Sequence, residues 1–133
     1  MEEYVTFETA KLLKDKGFDL KCLNLYGKSN NGDFELFKNE FPVDFNNGYY
    51  VSYSAPTQQM AARWLRELFN IHCFAFPVRI GNGNILYSSN VYDASIDNFV
   101  VPENFSYDTY EKALESAIYF ALKKVNVNNN ITI

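Results

Sequence analysis

The chain has 133 residues, 47% of them hydrophobic and 17% aromatic, with Phe 12 and Tyr 10. That length suits one domain around one core, and that apolar content excludes a disordered segment. A net charge of -4, with the 12 Lys and Arg scattered, argues against binding nucleic-acid backbones, which needs clustered cations that release counterions.

The start Met1-Glu2-Glu3-Tyr4 has neither the basic residues nor the apolar core of a secretory signal. No apolar run approaches the roughly 20 residues of a membrane span. Cys22 and Cys73 each stand alone in an apolar run without metal-ligand spacing. Both therefore read as buried free thiols suited to a reducing compartment, and the expected location is the cytoplasm of whatever cell makes the protein.

The first predicted element is a helix over Phe7 to Lys16, capped by Thr6 and ended by Gly17 in a Schellman turn with an apolar contact between Leu13 and Phe18. Leu20 to Tyr26 follows as a half-buried strand with Leu23 and Leu25 on one side. Gly27 to Gly32 is turn chemistry, Phe34 to Phe37 a short strand, and Pro42 to Gly48 an irregular stretch. Tyr49 to Tyr53 resumes strand character with Tyr49, Val51 and Tyr53 on one face.

Thr57 is the expected cap of a second helix from Gln58 to about Phe69. Its apolar half holds Met60, Ala61, Trp64, Leu65, Leu68 and Phe69, and its polar half Gln59, Arg63, Arg66 and Asn70. Ile71 to Ile80 alternates as a strand, with Pro77 requiring either a bulge or an edge. Gly81-Asn82-Gly83-Asn84 turns it into Ile85 to Tyr92, and Ile96 to Val101 is a possible last strand. A third helix opens at Ser106 or at Asp108 and carries the stripe Tyr110, Ala113, Leu114, Ala117, Ile118, Ala121, Leu122 and Val125. The tail from Asn126 to Ile133 either frays or adds an edge strand. This grouping predicts a single α+β domain over 1–133, with an antiparallel or mixed sheet and three helices packed mainly on one face.

No catalytic constellation emerges. His72 is the only histidine, and alternation puts it beside Phe74 and Phe76, where a structural role outweighs proton transfer. GxSxG, HExxH and a phosphate loop are absent, and neither a cofactor nor a metal is implied. Gln59, Arg63 and Arg66 form an exposed stripe that reads either as solvated helix surface or as a site for a carboxylate or phosphate. Tyr49, Tyr50 and Tyr53, with Tyr87 and Tyr92, suggest an aromatic patch on an uncovered sheet face. The codon bias of an AT-rich genome is the competing explanation for so many tyrosines.

Three stretches carry a resemblance: Val5-Thr6-Phe7-Glu8-Thr9-Ala10-Lys11-Leu12-Leu13 through Gly17-Phe18, Ala55-Pro56-Thr57-Gln58-Gln59 through Trp64-Leu65-Arg66-Glu67 to Asn70-Ile71-His72, and Tyr110-Glu111-Lys112-Ala113-Leu114-Glu115. Together, over about half the chain, they resemble short uncharacterised proteins encoded by bacteriophages and mobile elements of gut bacteria. The resemblance implies such an origin and carries over no catalytic residue. The leading expectation is a small non-enzymatic protein that binds a host or phage protein through Gln59, Arg63, Arg66 and His72 or through a sheet face bearing Tyr49 and Tyr53. A protein that sequesters a nucleotide or other small anion is the alternative, and a virion component the third.

Overall fold

The computed structural model describes residues 3–47, 51–100 and 106–125. Among the described residues the fold is α+β, with three helices and two antiparallel three-stranded sheets where the sequence pattern suggests one sheet. The described residues fall into two compact units, the first reaching to Gln59 and the second running from Met60 to Val125. The chain beyond Val125, Val101, and Tyr49 and Tyr50 lie outside the described residues.

Unit 1 opens with α1 (Phe7–Asp15). The Thr6 side chain accepts the Thr9 N–H, which satisfies one of the orphan donors of the first turn. Gly17, at φ 92, ends the helix, with the Phe18 N–H donating to the Leu13 carbonyl and the Gly17 N–H to that of Lys14. These are the two bonds of the expected Schellman turn.

Next come β1 (Cys22–Lys28), β2 (Phe34–Val43) and β3 (Ser52–Ser54), in the order β2-β1-β3. β2 runs past Phe37 to Val43, and the register shifts between Cys22 and Asn24, so that β2 carries extra residues between Lys38 and Val43, exposed Phe41 among them. The buried positions of β1 are Cys22 and Asn24, while Leu23 is exposed. The expected inward pair of Leu23 and Leu25 is thus on the other side. The reason is tertiary. Tyr26 shares the face of Cys22 and Asn24, donates its hydroxyl to the Val5 carbonyl and meets the Phe7 ring edge-on at 5.4 Å, so α1 covers that face. Asn46 orders the polar stretch after β2, donating to the Phe18 carbonyl and accepting the Ser54 N–H.

α2 (Gln58–Phe69) has the expected bounds. Ala61, Ala62, Trp64 and Leu65 are buried, but Leu68 is 61% exposed, against its predicted core position. Asn70, in the left-handed conformation at φ 56, ends the helix, and Phe69 rather than Leu68 turns onto the Trp64 ring at 5.2 Å.

In unit 2, β4 (Ile71–Arg79), β5 (Ile85–Asp93) and β6 (Asn98–Val100) pair in that order. The β4–β5 ladder runs without a shift from Ile71↔Asp93 to Arg79↔Ile85, so Pro77 sits on an edge and makes no bulge. Asn70 accepts from Ala94 and Ile80 donates to Asn84, which directs the even-numbered backbone groups of β4 at β5. Pro77 therefore removes a donor only from the free edge.

The β4–β5 turn closes through Gly83 N–H to Ile80 O and Ile80 N–H to Asn84 O, with Gly83 at φ 86. This is the three-residue hairpin that needs a left-handed residue at its third position. Its twin joins β1 to β2, where Gly32 stands at φ 88 and Ser29 and Asp33 close the loop.

α3 (Tyr110–Lys124) starts later than either predicted position. Tyr107 exchanges two backbone hydrogen bonds with Tyr87 and so belongs to the sheet, leaving Thr109 to cap the helix by accepting the Lys112 N–H. Asp108 pairs with the Lys112 ammonium instead, and Lys112 draws its carboxyl below the usual range. Ala113, Leu114, Ala117, Ile118, Ala121, Leu122 and Val125 are buried as the stripe predicts, each large aliphatic side chain contributing about 1.5–3 kcal/mol. Tyr110 alone is partly open, edge-on to Tyr87.

Candidate functional site

Alternation divides the unit 2 sheet into two faces. Cys73, Ser89 and Val91 share one, and there the Cys73 thiol reaches the Ala117 carbonyl of α3 at 3.7 Å. Small side chains on both partners, Cys73, Ala75 and Ser89 against the alanines of α3, permit that close approach. Burial pushes the Cys73 thiol up to about 12 and the Cys22 thiol of unit 1 up to about 11, so neither is poised as a nucleophile.

The opposite face carries His72, Phe74, Phe76 and Val78 from β4, with Tyr92 of β5 directly across from His72 and Phe99 of β6 across from Tyr92. It is open: Phe76 is 39%, Val78 40% and Phe99 51% exposed. The rings form a connected set, Tyr92 with Phe99 at 5.1 Å, Phe74 with Phe99 at 6.2 Å and His72 with Tyr92 at 6.1 Å. Leu86, Ser88 and Asn90 complete it on β5, and none of these positions is an acid, lysine or arginine. At its margin Tyr92 donates its hydroxyl to Asp97, a bond to the carboxylate that raises the Tyr92 pKa.

The residues singled out from sequence distribute as follows. Gln59, Arg63 and Arg66 all lie on the exposed side of α2, and Arg63 is engaged with Glu67 at 3.3 Å. His72 lies half-buried at the start of the open face. Of the tyrosines, Tyr92 is on that face, whereas Tyr87 is turned toward α3. Tyr53 belongs to unit 1, where it meets Phe7 and Phe34, and Tyr49 is outside the described residues. The phenylalanines of the open face were missed because their alternation reads equally well as core. The signal was the other face: small residues at Cys73 and Ala75 match the alanine stripe of α3, which leaves the large side chains on the uncovered side.

Concavities lie among the described residues of unit 1. One, about 710 Å³, is lined chiefly by Leu25, Val43, Phe45 and Val51. Another, about 560 Å³, lies between α1 and β3 and is lined by Lys11, Leu12, Lys14, Asp15 and Tyr53. Among the described residues no group of three or more His, Cys, Asp or Glu is placed to hold a metal, and no helix is long and apolar enough to cross a membrane.

Comparison of the chain with protein-family models, with curated proteins and with solved structures gave no match.

Proposed function

We propose that this chain is a non-enzymatic binding protein that docks a host or phage protein on the open face of unit 2. The observation that carries this reading is the connected aromatic surface of half-buried Phe74 and Tyr92 and exposed Phe76 and Phe99 on the side away from α3. Exposed apolar patches of this kind are uncommon on monomers unless they are used, and aromatic side chains dominate the energetics of protein interfaces. With no acid, lysine or arginine at its own positions, the centre of the face can be covered without desolvating such a charge, Asp97 standing at the margin. The host or phage partner is the expectation carried over from the resemblance read in the helical stretches.

The test compares wild-type protein with a Phe76→Ser/Phe99→Ser variant as bait against host and infected-cell lysates. A specific protein recovered by the wild type and reduced about tenfold or more by the variant is the expected result, a loss typical of interface anchors. Equal recovery by both baits, with the variant folded, removes the face from the reading.

A further inference from the structure

In a chain of net charge -4, unit 1 gathers three lysines over one aromatic cluster. Phe7 stacks on Phe34 at 4.7 Å and meets Tyr53 edge-on at 5.5 Å. Above these rings stand the ammonium groups of Lys11 (4.9 Å from Phe7), Lys14 (4.8 Å from Tyr53) and Lys28 (5.8 Å from Phe34). The 560 Å³ cleft opens beside the first two, and its size lies within the roughly 300–1,000 Å³ of small-molecule sites.

We propose that this cleft binds a nucleoside monophosphate. The Lys14 ammonium is held in place, donating to the Ser52 carbonyl at 2.9 Å, and one such bond leaves two of its three donors for a ligand. Its position is therefore fixed before a ligand arrives, which lowers the ordering cost of binding. Lys11 supplies the second cation. It is shared with Glu8 at 3.2 Å, an exposed pair that water already screens and that a phosphate can replace.

Leu12 and the part of the Tyr53 ring left uncovered by Lys14 form the apolar wall against which a flat base can lie. Asp15 sets the ligand's charge. Its carboxylate lines the same cleft, so it repels additional phosphates and accepts a hydrogen bond from an exocyclic amine of the base. Two lysines, the Asp15 carboxylate in the cleft, the Glu8 carboxylate beside Lys11 and an aromatic wall thus favour one phosphate joined to an amino-bearing base over a polyphosphate or a bare anion. This site lies wholly in unit 1 and is independent of the docking face in unit 2.

The experiment is a titration of the full chain with AMP, followed by amide chemical shifts in NMR, with adenosine, inorganic phosphate and ATP as comparison probes. The proposal expects saturable AMP-dependent shifts confined mainly to residues 11–15 and 52–54. It expects binding at least about tenfold weaker for adenosine and for phosphate alone, and weaker for ATP. Lys14→Met, which keeps the apolar stem over Tyr53, should weaken AMP about tenfold or more. If that variant loses its folded spectrum, Lys11→Met decides the matter by the same criterion. Absence of saturable shifts in these segments, phosphate binding as tightly as AMP, or unchanged affinity in the lysine variants each overturns the proposal.

Discussion

The two units are built from the same parts and use them in opposite ways. Each has a hairpin closed by an Asn-Gly turn, a short third strand and a helix across one face of a three-stranded antiparallel sheet. In unit 1 the aromatic side chains, Phe7, Tyr26, Phe34 and Tyr53, gather where α1 meets the sheet. In unit 2 the helix side is mainly small and aliphatic, with Tyr87 and Tyr110 as an aromatic pair at its end, and Phe74, Phe76, Tyr92 and Phe99 stand on the side away from α3. A ring beneath a helix supports the fold. The same ring on an uncovered face adds little to stability and is available for binding, so counting aromatic residues says less than knowing which face a helix covers.

The largest effects should be equal in the two units. Leu13 and Ile118 are fully buried, one in each, and Leu13→Ala or Ile118→Ala should cost about 2–5 kcal/mol in denaturant unfolding. A cost below about 1 kcal/mol at either position would show that its helix does not cover a packed core.

The aromatic residues should then separate the units. Phe7→Ala removes a ring that touches three others and should cost about 2–3 kcal/mol, whereas Phe99→Ser should stay within about 0.5 kcal/mol of wild type. Equal losses would erase the distinction between a supporting and an available ring.

The hairpins sharpen the likeness. Gly32→Ala and Gly83→Ala each force a Cβ into positive φ and should destabilise by about 1–2 kcal/mol. Gly81→Ala, at a position with open space and ordinary φ, should change stability by less than about 0.5 kcal/mol. A tolerated Gly32→Ala would mean that the first hairpin does not use this turn.

The smallest effect at neutral pH concerns the thiols, one in each unit. Folding raises Cys22 from 9.0 to about 11 and Cys73 from 9.0 to about 12. Both forms carry the proton below pH 9, where this contribution is fully present. Above it the unfolded thiols ionise first, so stability should fall between pH 9 and the folded values. A thiol reagent at pH 8 should label the native protein far more slowly than the unfolded one. Equal labelling rates would place the thiols at the surface.

Much of this was legible locally. The caps, turns and helical stripes involve groups a few residues apart, so Thr6, Gly17, Gly83 and the alanine stripe of α3 could be read directly from spacing. The start of α3 could not, because Tyr107 is claimed by Tyr87, twenty positions earlier in the chain. Of the candidate residues, His72 and Tyr92 could be found from sequence, while Phe74, Phe76 and Phe99 stayed hidden within patterns that serve a core equally well.

By itself the sequence determined the helices, the hairpins and the α+β class, since these follow from hydrogen bonds and steric limits within short stretches of backbone. Only the tertiary structure decided the division into two sheets, the inward turn of Cys22, Asn24 and Tyr26 instead of Leu23 and Leu25, and the exposure of the unit 2 aromatic face. The physical reason is that alternation gives every strand two faces, and only a helix arriving from elsewhere in the chain selects the one that water loses.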